Sequence, residues 1–228
     1  MQIYCDIDAT LARSNLSCFI QTCIQRFGLK KIISDDLTGI RYKDFLQLPE
    51  IVAYRQSLGE ETFQQEITWI DLDPDVLRSM LPLKGAQDGI HKLSKVASSI
   101  GYCTGRYTEH PQWRDRNAGM AEATRDWLTN QGFINAEHVI FCKDKLVCLA
   151  QLAQGGDRVI LIDDLYQKVM TRFSHLAETD PVRRWGLEHF ILVAFGAKEA
   201  FHECPLKVFP LPKWSDVDSL VAKLERSQ

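Results

Sequence analysis

The residues of this chain that could carry out chemistry form four short polar groups, each at the end of an apolar run. In chain order they are Asp6 and Asp8; Thr104, Gly105 and Arg106; Lys143 and Lys145; and Asp163 and Asp164. A carboxylate can act as a covalent nucleophile, and a second one two residues along an extended chain points to the same side and can exchange a proton. A hydroxyl and an ammonium can hold phosphoryl oxygens, and an acid pair can complete a Mg²⁺ site. Together these residue types predict phosphoryl transfer.

The elements that must position these groups are predicted to be parallel strands. Five β-rich apolar runs qualify as strands: Gln2–Cys5, Ser99–Cys103, His138–Phe141, Arg158–Ile162 and Phe190–Phe195. Helical patterns lie between most of them, for example over 118–130 and 146–154. This alternation predicts an α/β fold with a Rossmann-like parallel sheet. Since the carboxyl ends of parallel strands share one edge, the four polar groups should converge there.

The segment between the first two strands, residues 11–84, is far longer than a crossover requires. A crossover needs about a dozen residues or somewhat more. Apolar residues recur at steps of three and four from Leu16 to Phe27, which predicts a helix that Gly28 ends. Further helices are predicted over 45–54, 61–69 and 74–80. We therefore predict a core domain of residues 1–12 and 83–228 and an inserted helical subdomain of residues 13–82.

Composition limits the classes of partner. With 27 basic and 30 acidic residues the formal net charge is −3, which predicts neither a long nucleic-acid footprint nor binding to a membrane surface. The chain lacks an apolar run of about 18 residues, so no membrane span is expected. Its seven cysteines include no CxxC pair, and this pattern favours buried thiols in a reducing cytosol. The predicted location is therefore cytoplasmic.

The four polar groups resemble the motifs of the haloacid dehalogenase (HAD) superfamily, most of whose members are Mg²⁺-dependent phosphatases. Residues 6–10 (DIDAT) resemble its DxDxT signature and residues 102–106 (YCTGR) its hydroxyl motif. Residues 143–145 resemble its lysine motif and residues 161–164 (LIDD) its acidic motif. The resemblance covers the sheet domain, about two thirds of the chain, and implies a HAD-like fold with the helical insert as a cap.

The resemblance also implies a role for each motif residue. Asp6 would be the nucleophile that forms an aspartyl-phosphate, and Asp8 the general acid and base, with its backbone carbonyl also on Mg²⁺. Thr104, with Gly105 and Arg106, would bind the phosphoryl group. The motif lysine would be Lys145, with Lys143 as the alternative. The metal ligands would be Asp6, Asp8, Asp164 and Asp163, and the cap residues that could read the leaving group are Arg41, Tyr42, Lys43 and Arg55.

The predicted function is therefore Mg²⁺-dependent hydrolysis of a small phosphorylated metabolite. The cap position, the Asp144-Lys145 pair and residues 213–215 (KWS) resemble the deoxyribonucleotidase branch, which favours a nucleotide substrate. A polynucleotide-end phosphatase is one alternative, because such enzymes carry a similar TGR motif, and a non-catalytic HAD-like binding protein is another. A phosphorylated receiver module fits poorly, since its phosphorylated Asp follows its acid pair. One departure from the common family pattern is Ala9, where Gly or a small polar residue is frequent.

Overall fold

The computed structural model describes residues 1–29, 37, 39–106, 114–153, 156–199, 201 and 204–226. The chain divides into two compact units. The first consists of Met1–Arg13, Pro82–Asn117 and Leu128–Gln228, and the second of Ser14–Leu81 and Ala118–Trp127.

The first unit is built on a six-stranded sheet in the order β5-β4-β1-β6-β7-β8, and each of its strand pairs is parallel. The strands of the chain are β1 (Gln2–Cys5), β2 (Ala12–Arg13), β3 (Leu81–Pro82), β4 (Ser99–Thr104), β5 (Val139–Phe141), β6 (Val159–Asp163), β7 (Phe190–Phe195) and β8 (Lys207–Leu211). The chain runs outward from β1 to β5 on one side and outward from β6 to β8 on the other. This reversal beside β1 is the kind of point at which open α/β sheets bind ligands. The predicted Rossmann-like fold class is confirmed.

The helices of the chain follow the predicted alternation with the strands. They are α1 (Leu16–Arg26), α2 (Tyr42–Phe45), α3 (Pro49–Leu58), α4 (Glu60–Asp71), α5 (Pro74–Arg78), α6 (Ala86–Ser94), α7 (Arg114–Asn130), α8 (Lys145–Leu152), α9 (Tyr166–Ser174), α10 (Pro181–His189) and α11 (Val217–Glu225), with a 3₁₀ turn at Trp214–Asp216. The helix predicted over 146–154 is α8, and Gln154 lies outside the described residues. Strand β6 is buried along its whole length, as its uninterrupted apolar sequence requires.

Strand β8 is a sixth strand of the sheet, beyond the five that the sequence predicted. It pairs in parallel with β7 at the edge of the sheet, and it contains Pro210 opposite Ala194. Proline has no N–H to donate to a ladder, so it is tolerated in an edge strand and not in a central one. The edge position therefore explains how a segment with proline still extends the sheet.

The second unit is helical and has its own apolar core. The core residues are Phe19, Ile20, Cys23, Phe27, Phe45, Ile51, Phe63, Ile67, Ile70 and Val76. One predicted helix in this unit is wrong: residues 45–54 are not continuous, since α2 ends at Phe45, residues 46–48 form a turn and α3 begins at Pro49. Pro49 is the first residue of α3, and Leu48 before it is extended with ψ 138°. A residue that precedes proline disfavours the α conformation, so the helix breaks there.

Candidate active site

Three acids and one lysine meet at the carboxyl edge of the sheet. The Lys145 ammonium lies 2.7 Å from Asp6 Oδ1 and 2.7 Å from Asp163 Oδ2, so it bridges the ends of β1 and β6. Carboxylate oxygens of Asp6, Asp163 and Asp164 lie within 4.8 Å of one another. The structure thus brings together residues from the first, third and fourth polar groups.

The sheet itself fixes the two central acids. Cys5, at the end of β1, pairs with Ile162 of β6, and the N–H of Asp6 donates to the Ile162 carbonyl at 2.8 Å. Asp163 is the last residue of β6, and one of its oxygens accepts the N–H of Leu165 at 2.7 Å. Both acids are almost completely buried. Their backbones and side chains are therefore held before any ligand binds, which is the preorganisation that electrostatic catalysis needs.

Asp8 has a different partner, Arg106. The guanidinium forms two hydrogen bonds to the Asp8 carboxylate, from Nε at 2.9 Å and from Nη2 at 2.6 Å. Arg106 is only 3% exposed, whereas the Asp8 side chain is about half exposed at 48%. The Arg106 N–H also donates to Thr104 Oγ1 at 3.3 Å, and Thr104 is fully buried. This contact joins the first and second polar groups, and the sequence did not reveal it because the pair lies 98 positions apart.

The remaining member of the first motif, Thr10, ties that motif to the acid pair. Its hydroxyl donates to Asp164 Oδ1 at 3.3 Å and accepts the Asp164 N–H at 3.1 Å. Its carbonyl accepts the indole N–H of Trp214 at 2.7 Å. Trp214 is buried, so its indole holds the Thr10 backbone in place from within the protein interior. The sequence analysis gave neither residue a role here, although threonine within DxDxT was the available signal.

Helix α8 positions Lys145. Asp144 is its N-cap, accepts the Val147 N–H at 3.2 Å, and forms an ion pair with Arg172 at 2.7 Å. An N-cap of this type fixes where a helix begins, so Lys145 becomes the first helical residue. Of the two candidate lysines, Lys145 contacts the acids, while the Lys143 side chain is exposed. Gly105 is also exposed, between Thr104 and Arg106.

Burial and charge shift the pKa values of the clustered groups. Burial, aided by Asp163, raises the pKa of Asp6 to about 7, although Lys145 opposes the shift. Burial and the neighbouring Asp163 also raise the pKa of Asp164. Burial lowers the pKa of Lys145, but Asp6 and Asp163 outweigh it and leave that pKa above its ordinary value. The ammonium is therefore a fixed positive charge in a site with an excess of carboxylates.

The donor set fits a hard divalent cation. Mg²⁺ prefers oxygen ligands and is usually bound by one or two carboxylates with several waters. Asp6, Asp163 and Asp164 offer converging oxygens, and one lysine does not balance three acids. A cation at these oxygens would offset the remaining repulsion.

The candidate cap residues lie in the second unit, where the charged ones have partners of their own. Arg41 forms a two-point ion pair with Asp44, and Arg55 pairs with Glu60. The Tyr42 ring packs edge-on against Phe19 with centroids 5.5 Å apart, and Lys43 is exposed. These contacts fit a solvated helical surface, and the substrate-reading role of these residues stays a prediction.

Comparisons with known proteins give the fold. No protein-family model and no curated protein matches the sequence. Among solved structures, the chain is similar to that of a proposed haloacid dehalogenase-like hydrolase from Burkholderia xenovorans LB400, with a TM-score of 0.50 and 14% identity over 97% of this chain and 96% of that one. A HAD-superfamily hydrolase, subfamily IA, from Geobacter sulfurreducens PCA matches with a TM-score of 0.49 and 13% identity over 96% and 95% of the two chains.

The chain therefore has the fold of the haloacid dehalogenase-like hydrolases. The resemblance predicted from its four motifs is confirmed at the level of the fold. Within the part of the chain that the structure describes, no helix is long and apolar enough to cross a membrane.

Proposed function

We propose that the protein is a Mg²⁺-dependent phosphomonoester hydrolase that acts through an aspartyl-phosphate on a small phosphorylated metabolite. The observation that carries the proposal is the buried cluster of Asp6, Asp163 and Lys145, with Asp164 beside it, at the carboxyl edge of the sheet. Buried charges are costly, and they gather with perturbed pKa values chiefly at functional sites. The similarity to HAD-like hydrolases at the level of the fold is consistent with it.

In the proposed first step, a carboxylate oxygen of Asp6 attacks phosphorus and the bond to the leaving oxygen breaks. Asp8 must take up a proton on one oxygen before this step, which opens one of its two hydrogen bonds with Arg106. It then donates that proton to the leaving oxygen, while the remaining hydrogen bond from Arg106 keeps the carboxyl oriented. The Thr104 hydroxyl donates a hydrogen bond to a phosphoryl oxygen, and the Lys145 ammonium neutralises the negative charge that develops beside Asp6. When bound at Asp6, Asp163 and Asp164 and the Asp8 carbonyl, Mg²⁺ would supply further charge neutralisation on the phosphoryl oxygens.

In the second step Asp8 acts as a base. It removes a proton from a water molecule, which attacks phosphorus, and the bond to Asp6 breaks to release inorganic phosphate. Acid and base assistance of this kind contributes roughly 10²–10⁴-fold. The first step leaves Asp8 as the carboxylate that the second step needs, and the proton it takes from water restores the acid for the next turnover.

The substrate we propose is a small phosphomonoester, and nucleoside monophosphates are the first class to test. Residues 213–215 support the nucleotide class through their resemblance alone, because Trp214 is buried against Thr10 and the ring of Phe195. The polynucleotide-end alternative keeps its motif, Thr104-Gly105-Arg106. The predicted cap function of the second unit and the cytoplasmic location belong to the same proposal.

The experiment is phosphate release from a panel of phosphomonoesters, with Mg²⁺ and with a chelator. The panel holds sugar phosphates, nucleoside 5′- and 3′-monophosphates, and a 3′-phosphorylated oligonucleotide. We expect Mg²⁺-dependent release that the Asp6→Asn variant lacks, and the best substrate distinguishes a metabolite from a nucleic-acid end. Release that persists in the chelator would contradict the metal, and release by Asp6→Asn would contradict the nucleophile. Binding of substrates without any release would identify the protein as a non-catalytic relative.

A further inference from the structure

Three cysteines lie together on the flank of the candidate site. The thiols of Cys103, in β4, and Cys142, directly after β5, are 3.5 Å apart. Cys148, in α8, lies close enough to Cys142 for each thiol to influence the pKa of the other. Cys103 is buried, whereas Cys142 and Cys148 are partly exposed, so solvent reaches the cluster from one side.

The two cysteines whose thiols are closest lie next to candidate catalytic residues in the backbone. Cys103 directly precedes Thr104 in the sequence, and the Cys142 N–H donates to the Thr104 carbonyl at 3.0 Å. Cys142 is also three residues before Lys145, in the loop that leads into helix α8, whose N-cap is Asp144. If either sulfur moves, the backbone next to it is therefore expected to shift the Thr104 hydroxyl or the Lys145 ammonium.

The pair is chemically unequal. The hydrogen bond from Cys103, only partly opposed by burial, lowers the pKa of Cys142 to about 7. The same hydrogen bond and burial raise the pKa of Cys103 far above its ordinary value. A thiolate reacts with peroxides and a thiol does not, so Cys142 is suited to react first and Cys103 to follow. By contrast, burial raises the pKa values of Cys5 and Cys23, which makes these two thiols unreactive.

We propose that Cys142 and Cys103 are a peroxide-sensitive pair that closes to a disulfide and thereby disables the site. In the first step the Cys142 sulfur attacks one oxygen of hydrogen peroxide, the O–O bond breaks, and hydroxide leaves. Cys142 is oxidised to a sulfenic acid and the peroxide is reduced. In the second step the Cys103 sulfur attacks the Cys142 sulfur, the S–O bond breaks, and the hydroxyl leaves as water with the Cys103 proton. Two thiols and one peroxide thus give one disulfide and two waters, once the hydroxide has taken up a proton.

Bond formation must draw the two sulfurs together. A disulfide holds its sulfurs at about 2.05 Å, so the two must approach from 3.5 Å through side-chain rotation together with movement of β4 or of the residue after β5. We propose that the backbone part of this movement carries Thr104 and the loop that leads to Lys145. Since a misplacement of about 1 Å can cost roughly 10²-fold in rate, we expect the oxidised protein to lose at least about 90% of its turnover. The loss of turnover rests on the proposed function, whereas formation of the bond does not.

The test treats the reduced protein with hydrogen peroxide and follows two readouts. Intact mass and a non-reducing peptide map report the bond, and turnover of the best substrate reports the site. We expect loss of two hydrogens in mass, a peptide that links Cys103 to Cys142, and recovery of thiols and turnover with dithiothreitol. In Cys103→Ser, whose hydroxyl can still donate to Cys142 but cannot form a disulfide, we expect the sulfenic acid at Cys142 to persist and to be trapped by dimedone.

Matched variants decide the assignment. Cys142→Ser should neither crosslink nor lose turnover on treatment, while Cys18→Ser, a partly exposed cysteine of the second unit, should behave as the wild type. Absence of a crosslink, or a crosslink of Cys142 to Cys148 instead, would overturn the proposed pair. A correct crosslink with undiminished turnover would overturn the switch. A protein that crosslinks as expected but never releases phosphate, even when reduced, would contradict the proposed function and leave the pair intact.

Discussion

The central acids and the lysine at the carboxyl edge of the sheet are buried against one another, whereas charged residues of the second unit such as Arg41 and Asp44 pair in solvent. The side chains of Lys145, Asp6 and Asp163 are 12%, 5% and 1% exposed, while those of Arg41 and Asp44 are 68% and 44% exposed. Removal of an ion from water costs several kcal/mol, and a surface pair contributes little. Among the residues that the structure describes, the buried charged ones are Asp6, Arg106 and Asp163, all at the sheet edge. The cost of burying charge is therefore borne there. This is the behaviour expected of a catalytic site, and it marks the second unit's charges as a solvated surface.

The largest effect we expect is on catalysis, from the exchange of one buried oxygen. Asp6→Asn removes the proposed nucleophile while it keeps the shape of the side chain. Turnover should fall by at least about 10⁴-fold, the scale seen when a nucleophile is lost, and no phosphoenzyme should form. Quenched-flow trapping of the phosphoenzyme and steady-state rates measure both results.

The matched control for Asp6→Asn is an acid of the second unit. Asp126 pairs with Arg78 at 3.0 Å and is well exposed, so Asp126→Asn should leave turnover at the wild-type rate. Equal losses in the two variants would mean that the distinction between buried and exposed acids does not separate catalytic residues from the rest.

The next effect concerns stability. Lys145→Met leaves Asp6 and Asp163 buried without their shared ammonium, and a broken buried pair costs about 3–5 kcal/mol. Arg41→Met removes an exposed partner and should leave the free energy of unfolding nearly unchanged. Urea unfolding in the presence of a chelator measures both changes, because the chelator prevents a bound cation from masking the loss. A similar change in the two variants would break the comparison between the units.

A smaller effect separates two roles for Arg106. If Arg106 orients Asp8, then Arg106→Gln should slow hydrolysis of an alkyl phosphate by about 10²-fold and that of p-nitrophenyl phosphate much less. The reason is that a good leaving group needs little protonation. Asp8→Asn should show the same dependence with a larger loss. A rise in KM that is equal for both substrates would instead support the predicted role of Arg106 in binding the phosphoryl group.

Much of the sheet could be predicted from the sequence because β4, β6 and β7 are buried over nearly their whole length. The predicted bounds of Gln2–Cys5 and Phe190–Phe195 match the structure, and those of the other three predicted strands differ by one residue at one or both ends. An unbroken apolar run is a signal that local sequence carries by itself. Pro49 carried a local signal too, but the periodicity of the residues around it outweighed it in the prediction of one helix.

The contacts within the site were harder to predict because they join distant positions. Four polar groups at strand ends indicated convergence, but not that Arg106 would hold Asp8 or that Trp214 would support Thr10 from 204 positions away. The choice of Lys145 over Lys143 depended on where α8 begins. Asp144 before an apolar helix was a usable N-cap signal for that choice, since it makes Lys145 the first helical residue.

The smallest effect concerns backbone strain, and it also distinguishes the two regions. In the described part of the second unit, the positive φ angles belong to glycines, including Gly28 at +67°. In the loop after β1, Ala9 has a φ of +55°. A left-handed conformation costs a residue with a Cβ about 1–2 kcal/mol, and the greater freedom of unfolded glycine offsets part of the gain from its removal. Ala9→Gly should therefore raise the free energy of unfolding by about 0.5–1 kcal/mol.

Gly28→Ala is the reverse change at a matched angle, and a Cβ there would meet nothing within 4 Å. It should lower the free energy of unfolding by a similar amount, through backbone conformation alone. Urea unfolding of both variants beside the wild type measures the pair. If Ala9→Gly also lowers turnover, the strained loop holds Asp8 and Thr10 in register, and the site retains alanine at a cost in stability. If Ala9→Gly destabilises the protein while Gly28→Ala behaves as expected, the loop is not strained at Ala9. The site at the sheet edge would then differ from the second unit in the burial of its charged residues and not in backbone strain.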